Sequence, residues 1–370
     1  MIAATPEKTA GAGAASGWIE FIPAKPEQLK PKPDENNLGF GKLFTDYMFV
    51  MEYKHGVWRN PTIQPYAPFM LDPAASVLHY SQSVFEGMKA YRADDGSIRL
   101  FRARNNFERI NRSCERMCIP PIDVDFALNA MKNLLKLEAD WVPSAPDTTM
   151  YIRPTIIAVD PFLGVHAAEQ YLFYIILSPS GAYFKDGMSP VRIYVEDEYV
   201  RAVRGGMGFS KTGGNYAASI LAGAIAQKKG FTQVMWLDGV HQRYVEEVGS
   251  MNMFFKVNGE LWTPKLNGSI LPGITRASVI ELANSMGGKV IEKDIDVYEL
   301  FDMGERGELE EAFGTGTAAV ISPVGMLRLK DRDLIVNNFQ TGPLSQQLYD
   351  TLTGVQYGRL NDPFGWTETL

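Results

Sequence analysis

Two hairpin signals, one in each half of the chain, constrain its fold most. Asp94-Asp95-Gly96 separates the runs 87–92 and 97–102, and Asn258-Gly259 separates MNMFFKV from ELWTP. Asp-Gly and Asn-Gly supply the positive φ that a tight antiparallel turn needs. Local antiparallel pairs in both halves, mixed with helical stretches, predict an α+β chain rather than a doubly wound parallel sheet.

A helix is expected from about Asn105, because Phe107, Ile110, Cys114 and Met117 recur at helical spacing. The same spacing groups Arg109, Arg112 and Arg116 on the opposite, polar face, where a solvated surface would account for them. A second helix covers roughly 125–140, with Pro143 shortly after it, and segments 149–158 and 170–178, rich in Ile, Tyr and Phe, read as strands. Pro and Gly at both ends mark 179–190 as a linker between residues 18–178 and 191–370. Beyond it come the strand VRIYVED, a glycine-rich loop at 205–214 and a helix from about Asn215 to Lys229 closed by Gly230. TQVMWLD is a further strand, and a helix is expected from about Thr275 to Met286.

Composition excludes several classes. A net charge of −7 with no Lys/Arg cluster argues against nucleic-acid binding. No apolar run reaches the roughly 20 residues that span a bilayer. Residues 1–17 are small and lack the pattern of a targeting signal, so a flexible arm is expected. Cys114 and Cys118, one helical turn apart, are expected to fill a buried helix face rather than pair, which suits a reducing cytoplasm.

The most informative segment runs from Arg204 to Tyr216. Five glycines in ten residues surround Lys211 and let backbone approach a ligand closely. A lysine there is a phosphate ligand, a nucleophile or a plain solvated residue. Gly205–Thr212 nearly matches the P-loop of nucleotide-binding proteins, with Ser210 where the second glycine belongs. A P-loop follows a buried strand and opens straight into a helix. YVRAVR is a poor buried strand, and Gly213-Gly214 is expected to delay the helix to about Asn215.

Lys211-Thr212-Gly213-Gly214-Asn215-Tyr216 resembles the cofactor-lysine segment of the branched-chain aminotransferases, which are fold-type IV pyridoxal-phosphate enzymes. Further matches follow in the family's order: His79-Tyr80, FEGMKA (85–90), YIRPT (151–155), EVGSMN (247–252), LPGITR (271–276) and GTGTA (314–318). The resemblance runs from about Phe40 to Trp366. It implies a smaller N-terminal α/β domain and a larger C-terminal barrel-like domain, with pyridoxal 5'-phosphate held between them. It also implies a homodimer in which a loop resembling Leu163-Gly164-Val165 reaches the partner's pocket.

The resemblance assigns roles residue by residue. Lys211 is the catalytic residue that carries the cofactor. Glu247 faces the cofactor's ring nitrogen, although strand alternation alone leaves Glu246 and Glu247 equally open. Arg109, Ile274, Thr275 and Thr317 hold the phosphate, the helix start at Ile274-Thr275 offering unpaired N–H groups. Thr275 also suits an ordinary helix cap. Tyr216 bonds the ring oxygen, and Thr317-Ala318 receives the substrate carboxylate. Phe40, Tyr80, Phe85, Tyr151 and Tyr183 wall the side-chain pocket, and Arg153 lets it accept glutamate. The implied reaction is ping-pong transamination of leucine, isoleucine and valine with 2-oxoglutarate, giving branched 2-oxo acids and glutamate. A D-amino acid aminotransferase, an aminodeoxychorismate lyase and a non-catalytic cofactor-binding protein are the alternatives. Some members of the family carry a redox Cys-x-x-Cys after the GT-A turn; here Ala319-Val320-Ile321-Ser322 excludes one.

Overall fold

The computed structural model describes residues 18–181 and 187–370, so the expected arm 1–17 and Tyr183 lie outside the described residues. Two large sheets organise the rest. In the first, strands run in the order Glu20–Phe21, Val57–Pro65, Tyr47–Lys54, Tyr171–Ser180, Thr149–Ala158, Met88–Arg92, Ile98–Phe101 and Thr367–Thr369, with Ser83–Phe85 also on Thr149–Ala158. Thr149–Ala158 and Tyr171–Ser180 pair over their whole length, from Thr149 opposite Ser180 to Ala158 opposite Tyr171.

Helices Ala103–Arg116 and Val124–Leu137 cover one face of this sheet. Phe107, Ile110, Cys114, Met131 and Leu135 meet Phe49, Ile152 and Phe173 there. Asp123 starts the second helix by accepting the Phe126 N–H at 2.9 Å.

The second sheet closes on itself. Val191–Val195, Gln233–Leu237, Val245–Val248, Met251–Val257, Leu309–Gly316 and Val320–Leu329 form a ring, because Val245–Val248 pairs with both Gln233–Leu237 and Met251–Val257. The result is a six-stranded barrel, and the whole is the α+β architecture expected. Ile193, Met253, Phe255, Leu300, Phe301 and Leu327 pack in its core cluster. A third core, with Tyr91 and Phe101 from the first sheet and Phe254, Phe313, Leu348 and Leu352 from the barrel side, joins the two.

Five expectations need correction. The strand Tyr171–Ser180 continues two residues into the expected linker, because Pro179 and Ser180 still pair with Met150 and Thr149. The last strand, Thr367–Thr369, returns to the first sheet and pairs with Ile98–Phe101. Cys118 is exposed with φ 53°, since the helix stops at Arg116, and only Cys114 is buried. Arg109 is not on the solvated face with Arg112 and Arg116. It lies on a buried flank with Asn106 and Ser113, three and four residues away.

The fifth concerns the lysine loop. The helix Gly213–Lys228 begins at the glycine pair itself, directly after Lys211-Thr212. Asn215 makes this possible by donating to the Met207 and Ser210 carbonyls, both at 2.8 Å, which ties helix to loop. The helix half of the P-loop test therefore fails to discriminate. The strand half stands, because residues 199–210 contain no strand.

Candidate active site

Lys211 sits on the seam between the sheets and is tied to the first one by its backbone. Its N–H donates to Ser113 Oγ at 2.9 Å, and its carbonyl accepts from the Phe85 N–H at 3.0 Å. Thr212 Oγ1 adds a bond to the Ser83 carbonyl at 2.7 Å. The side chain points into a cavity of about 250 Å3 lined by Phe40, Phe85, Tyr151, Arg153, Tyr216 and the turn Gly316–Ala319. There Lys211 Nζ lies 2.9 Å from Tyr216 Oη and 5.0 Å from the Phe85 ring centre. Among the described residues no carboxylate lies within ion-pair distance of this amine.

The tight hairpin Val248-Gly249-Ser250-Met251 settles which glutamate faces the site. Glu247 stands opposite Asn252 across the hairpin. Both reach the same residue: Glu247 Oε1 accepts the Leu271 N–H at 2.7 Å, and Asn252 Nδ2 donates to the Leu271 carbonyl at 2.9 Å. Glu246 points the other way, to Asn267 and Ser269. Glu247 lines a narrow cleft with Leu271, Tyr216 and Ser250, and the last two also line the main cavity. Burial pushes the Glu247 carboxyl above the usual carboxylate range, against the pull of Arg201, the Leu271 N–H, Lys211 and Arg109. Arg201 Nε comes within 3.1 Å of Glu247 Oε2 but off the hydrogen-bonding direction.

The clamped Leu271 aims the next segment. Helix Ile274–Ser285 starts at Gly273 without a side-chain cap. A Cβ at Gly273 would meet Asn252 Oδ1 at 1.9 Å, so only glycine permits this approach. Thr275 is therefore no cap; with Ile274 and Thr317 it lines a small void at the helix start, where free N–H groups favour an anion. Arg109 NH1 reaches the neighbouring Pro272 carbonyl at 3.2 Å. The rest of its guanidinium grips Glu86 in two parallel bonds of 2.7 and 2.8 Å, both side chains being buried.

The structure thus gathers Lys211, Tyr216, Phe40, Phe85, Tyr151, Arg153, Thr317 and Ala318 around one cavity. Glu247 lines the adjoining cleft, while Ile274, Thr275 and Arg109 stand at the far, helix-start end. Arg153 donates to Tyr151 Oη at 2.9 Å and stacks 4.7 Å from the Phe85 ring centre. A Cβ at Gly87 would fall 2.0 Å from Tyr151 Oη, so this glycine sets the wall's position. Tyr80 is not in the cavity. It is 40% exposed and donates to the Leu163 carbonyl, beside the exposed Phe162, Leu163 and Val165. The sequence reading missed Glu86, Ser113, Arg201 and Asn252; Glu86 inside FEGMKA and Asn252 inside EVGSMN had a motif to mark them, whereas Ser113 and Arg201 had none.

Residues 83–326 match the amino-transferase class IV family profile, and the chain belongs to that family, with its fold-type IV architecture. It is 56% identical over 340 residues to a branched-chain-amino-acid transaminase 1 of Bacillus subtilis, covering 91% of this chain and 96% of the relative. The crystal structure of the Escherichia coli branched-chain amino acid aminotransferase superposes with a TM-score of 0.74 at 26% identity, over 87% of this chain and 98% of that one. A T.th. branched-chain amino acid aminotransferase with pyridoxamine 5'-phosphate gives 0.72 at 25%, over 86% and 97%.

Proposed function

We propose that this aminotransferase moves the amino group of leucine, isoleucine or valine to 2-oxoglutarate by a ping-pong reaction using pyridoxal 5'-phosphate. One observation carries the reading: a lysine amine without a carboxylate partner opens into a cavity with one aromatic wall, next to a buried, under-neutralised carboxylate and an uncapped helix start. These three features suit the aldehyde, the ring nitrogen and the phosphate of that cofactor. When bound, it supplies an electron sink for the pair left at the substrate Cα and a carbon that carries nitrogen between the half-reactions.

The chain's residues do the rest. Lys211 Nζ would hold the cofactor covalently, and as a free amine it would take the Cα proton and return it as an acid. Glu247 would balance positive charge on the ring nitrogen, and Tyr216 would orient the ring oxygen. Arg109, Ile274, Thr275 and Thr317 would hold the phosphate. Thr317-Ala318 receives the α-carboxylate, while Phe40, Phe85 and Tyr151 exclude water from an aliphatic side chain. Arg153 is poised to meet the second carboxylate of glutamate. Telling leucine from valine is hard for such a wall, since one methylene is worth about 1–3 kcal/mol.

The exposed Phe162–Val165 loop and Tyr80 suit burial against a second copy, so the proposal includes a homodimer in which this loop completes the partner's pocket. Two free cysteines suit the cytoplasm; among the described residues no helix is long and apolar enough to cross a membrane.

Lys211→Ala is expected to abolish both the visible absorbance of lysine-bound cofactor and all turnover. Borohydride trapping followed by peptide mapping should place the label on Lys211; a label elsewhere defeats the proposal. Parallel assays with L-leucine and D-alanine separate it from a D-amino acid enzyme. Single-turnover conversion of the cofactor to its amine form separates it from a non-catalytic binder.

A further inference from the structure

Lys89 is a buried cation that none of the roles above uses. It lies on the strand Met88–Arg92, opposite Tyr151 in the neighbouring strand, and is 7% exposed. Its Nζ donates to the Ala318 carbonyl at 2.7 Å. Among the described residues no carboxylate lies within ion-pair distance of it. Burial lowers its pKa to about 8, only partly offset by the field of Asp147. An ammonium taken from water with a single neutral partner is costly, so such a group calls for a functional account.

Its position supplies one. Lys89 lines two voids on the rear side of the Thr317–Ala319 turn. One holds Asp147, Tyr91, Tyr349 and Tyr357; the other holds Ile274, Thr275 and Thr317 at the helix start. A trans peptide is planar, so a carbonyl held toward the rear turns the following N–H forward. Ala318 and Ala319 line both the rear void and the main cavity, and the Lys89 bond to the Ala318 carbonyl turns the Ala319 N–H to the side away from Lys89. The turn is also strained: it ends at Val320 with φ 60°, a value that a β-branched residue adopts only when its surroundings hold it there. Of the nearby arginines, Arg109 is gripped by Glu86, Arg201 donates to the Ser269 carbonyl beside Glu247, and Arg153 stands on the aromatic wall with Tyr151 and Phe85.

We propose that Lys89 is the positioning residue of α-carboxylate recognition, holding the Ala318 carbonyl from behind so that the turn's amides face the substrate, and supplying a positive charge behind the turn that draws a carboxylate there. This deepens the aminotransferase reading and rests on it.

The test uses the cofactor-loaded enzyme and 4-methylvalerate, an unreactive branched carboxylate, titrated from pH 7 to 9.5. Lys89→Met is expected to weaken 4-methylvalerate by roughly 10- to 100-fold, the range for losing a charge-assisted bond. Its visible cofactor band should stay, and KM for leucine should rise more than kcat falls. Asp147, Tyr91, Tyr349 and Tyr357 are the other titratable groups around the amine, and burial keeps the three tyrosines neutral across this range. In the unaltered enzyme, affinity should therefore fall as pH rises past about 8, where Lys89 loses its charge. Lys89→Arg stays charged and should lose less affinity over the same range. Binding of 4-methylvalerate by Lys89→Met within about twofold of the unaltered enzyme, or identical pH slopes for the unaltered and Lys89→Arg proteins, overturns the proposal. If Lys89→Met does not retain cofactor, the Lys89→Arg slope alone decides. Absence of the visible band from the unaltered protein would instead defeat the cofactor reading.

Discussion

Glu86, between two strands of the first sheet, and Glu247, in the barrel, are both buried beside an arginine, yet the two pairs are built differently. Glu86 and Arg109 form a closed fork with two aligned bonds. Glu247 receives one backbone N–H and a misaligned approach from Arg201, and burial raises its pKa. The first pair is complete within the protein and fixes the arginine beside the helix start. The second leaves a carboxylate short of a cation, which a protonated ring nitrogen would supply. One sheet thus offers finished structure, and the other an unfinished charge.

The largest effect should come from breaking the closed fork. Glu86→Leu strands a buried guanidinium and should cost about 3–5 kcal/mol in thermal or urea unfolding. Adding Arg109→Met should recover most of that stability while the cofactor is lost on dialysis. If single and double variants are equally unstable, the fork is not what holds Arg109.

Glu247→Gln should do the opposite. It lowers turnover by roughly 100-fold, by analogy with removing other preorganised charges. Stability of the cofactor-free protein at neutral pH should stay level or rise, because a buried charge with too few partners disappears. A stability loss as large as that of Glu86→Leu would erase the contrast.

The same contrast has a pH signature. A carboxyl whose folded pKa is raised keeps its proton longer in the folded state, so its stabilising contribution is full below the ordinary value of about 4.3 and fades as pH rises through the folded one. Urea midpoints of the cofactor-free protein should therefore fall with pH more steeply than those of Glu247→Gln. Glu246, also raised by burial, remains in both proteins as a common background. Superimposable curves would show that Glu247 is ionised at no cost.

The smallest effect concerns the seam. Ser113→Ala removes the acceptor for the Lys211 N–H and should cost about 1 kcal/mol. Hydrogen exchange at the Lys211 amide should quicken, leaving the barrel core protected. Unchanged exchange would mean that Phe85 and Thr212 hold the lysine without Ser113.

Much of the site could be read because its motifs are local. The Gly-rich loop marked Lys211, and hairpin turns and the Gly230 cap followed from backbone sterics that any chain obeys. Helix periodicity misplaced Arg109, because a polar residue counts as solvent-facing until a partner such as Glu86, twenty-three positions away, buries it. Glycine propensity delayed the lysine helix, because the Asn215 bonds that start it depend on the fold of the preceding loop.

By itself the sequence determined the element types, the α+β class and the lysine-bearing loop, all set by interactions within a few residues. The tertiary structure decided the rest. Ring closure depends on pairing between Val245–Val248 and two other strands, the first sheet needs its last strand from Thr367–Thr369, and Lys89 meets Ala318 across 229 positions. Such contacts come from burying apolar faces and satisfying every backbone group together, and no local window contains that condition.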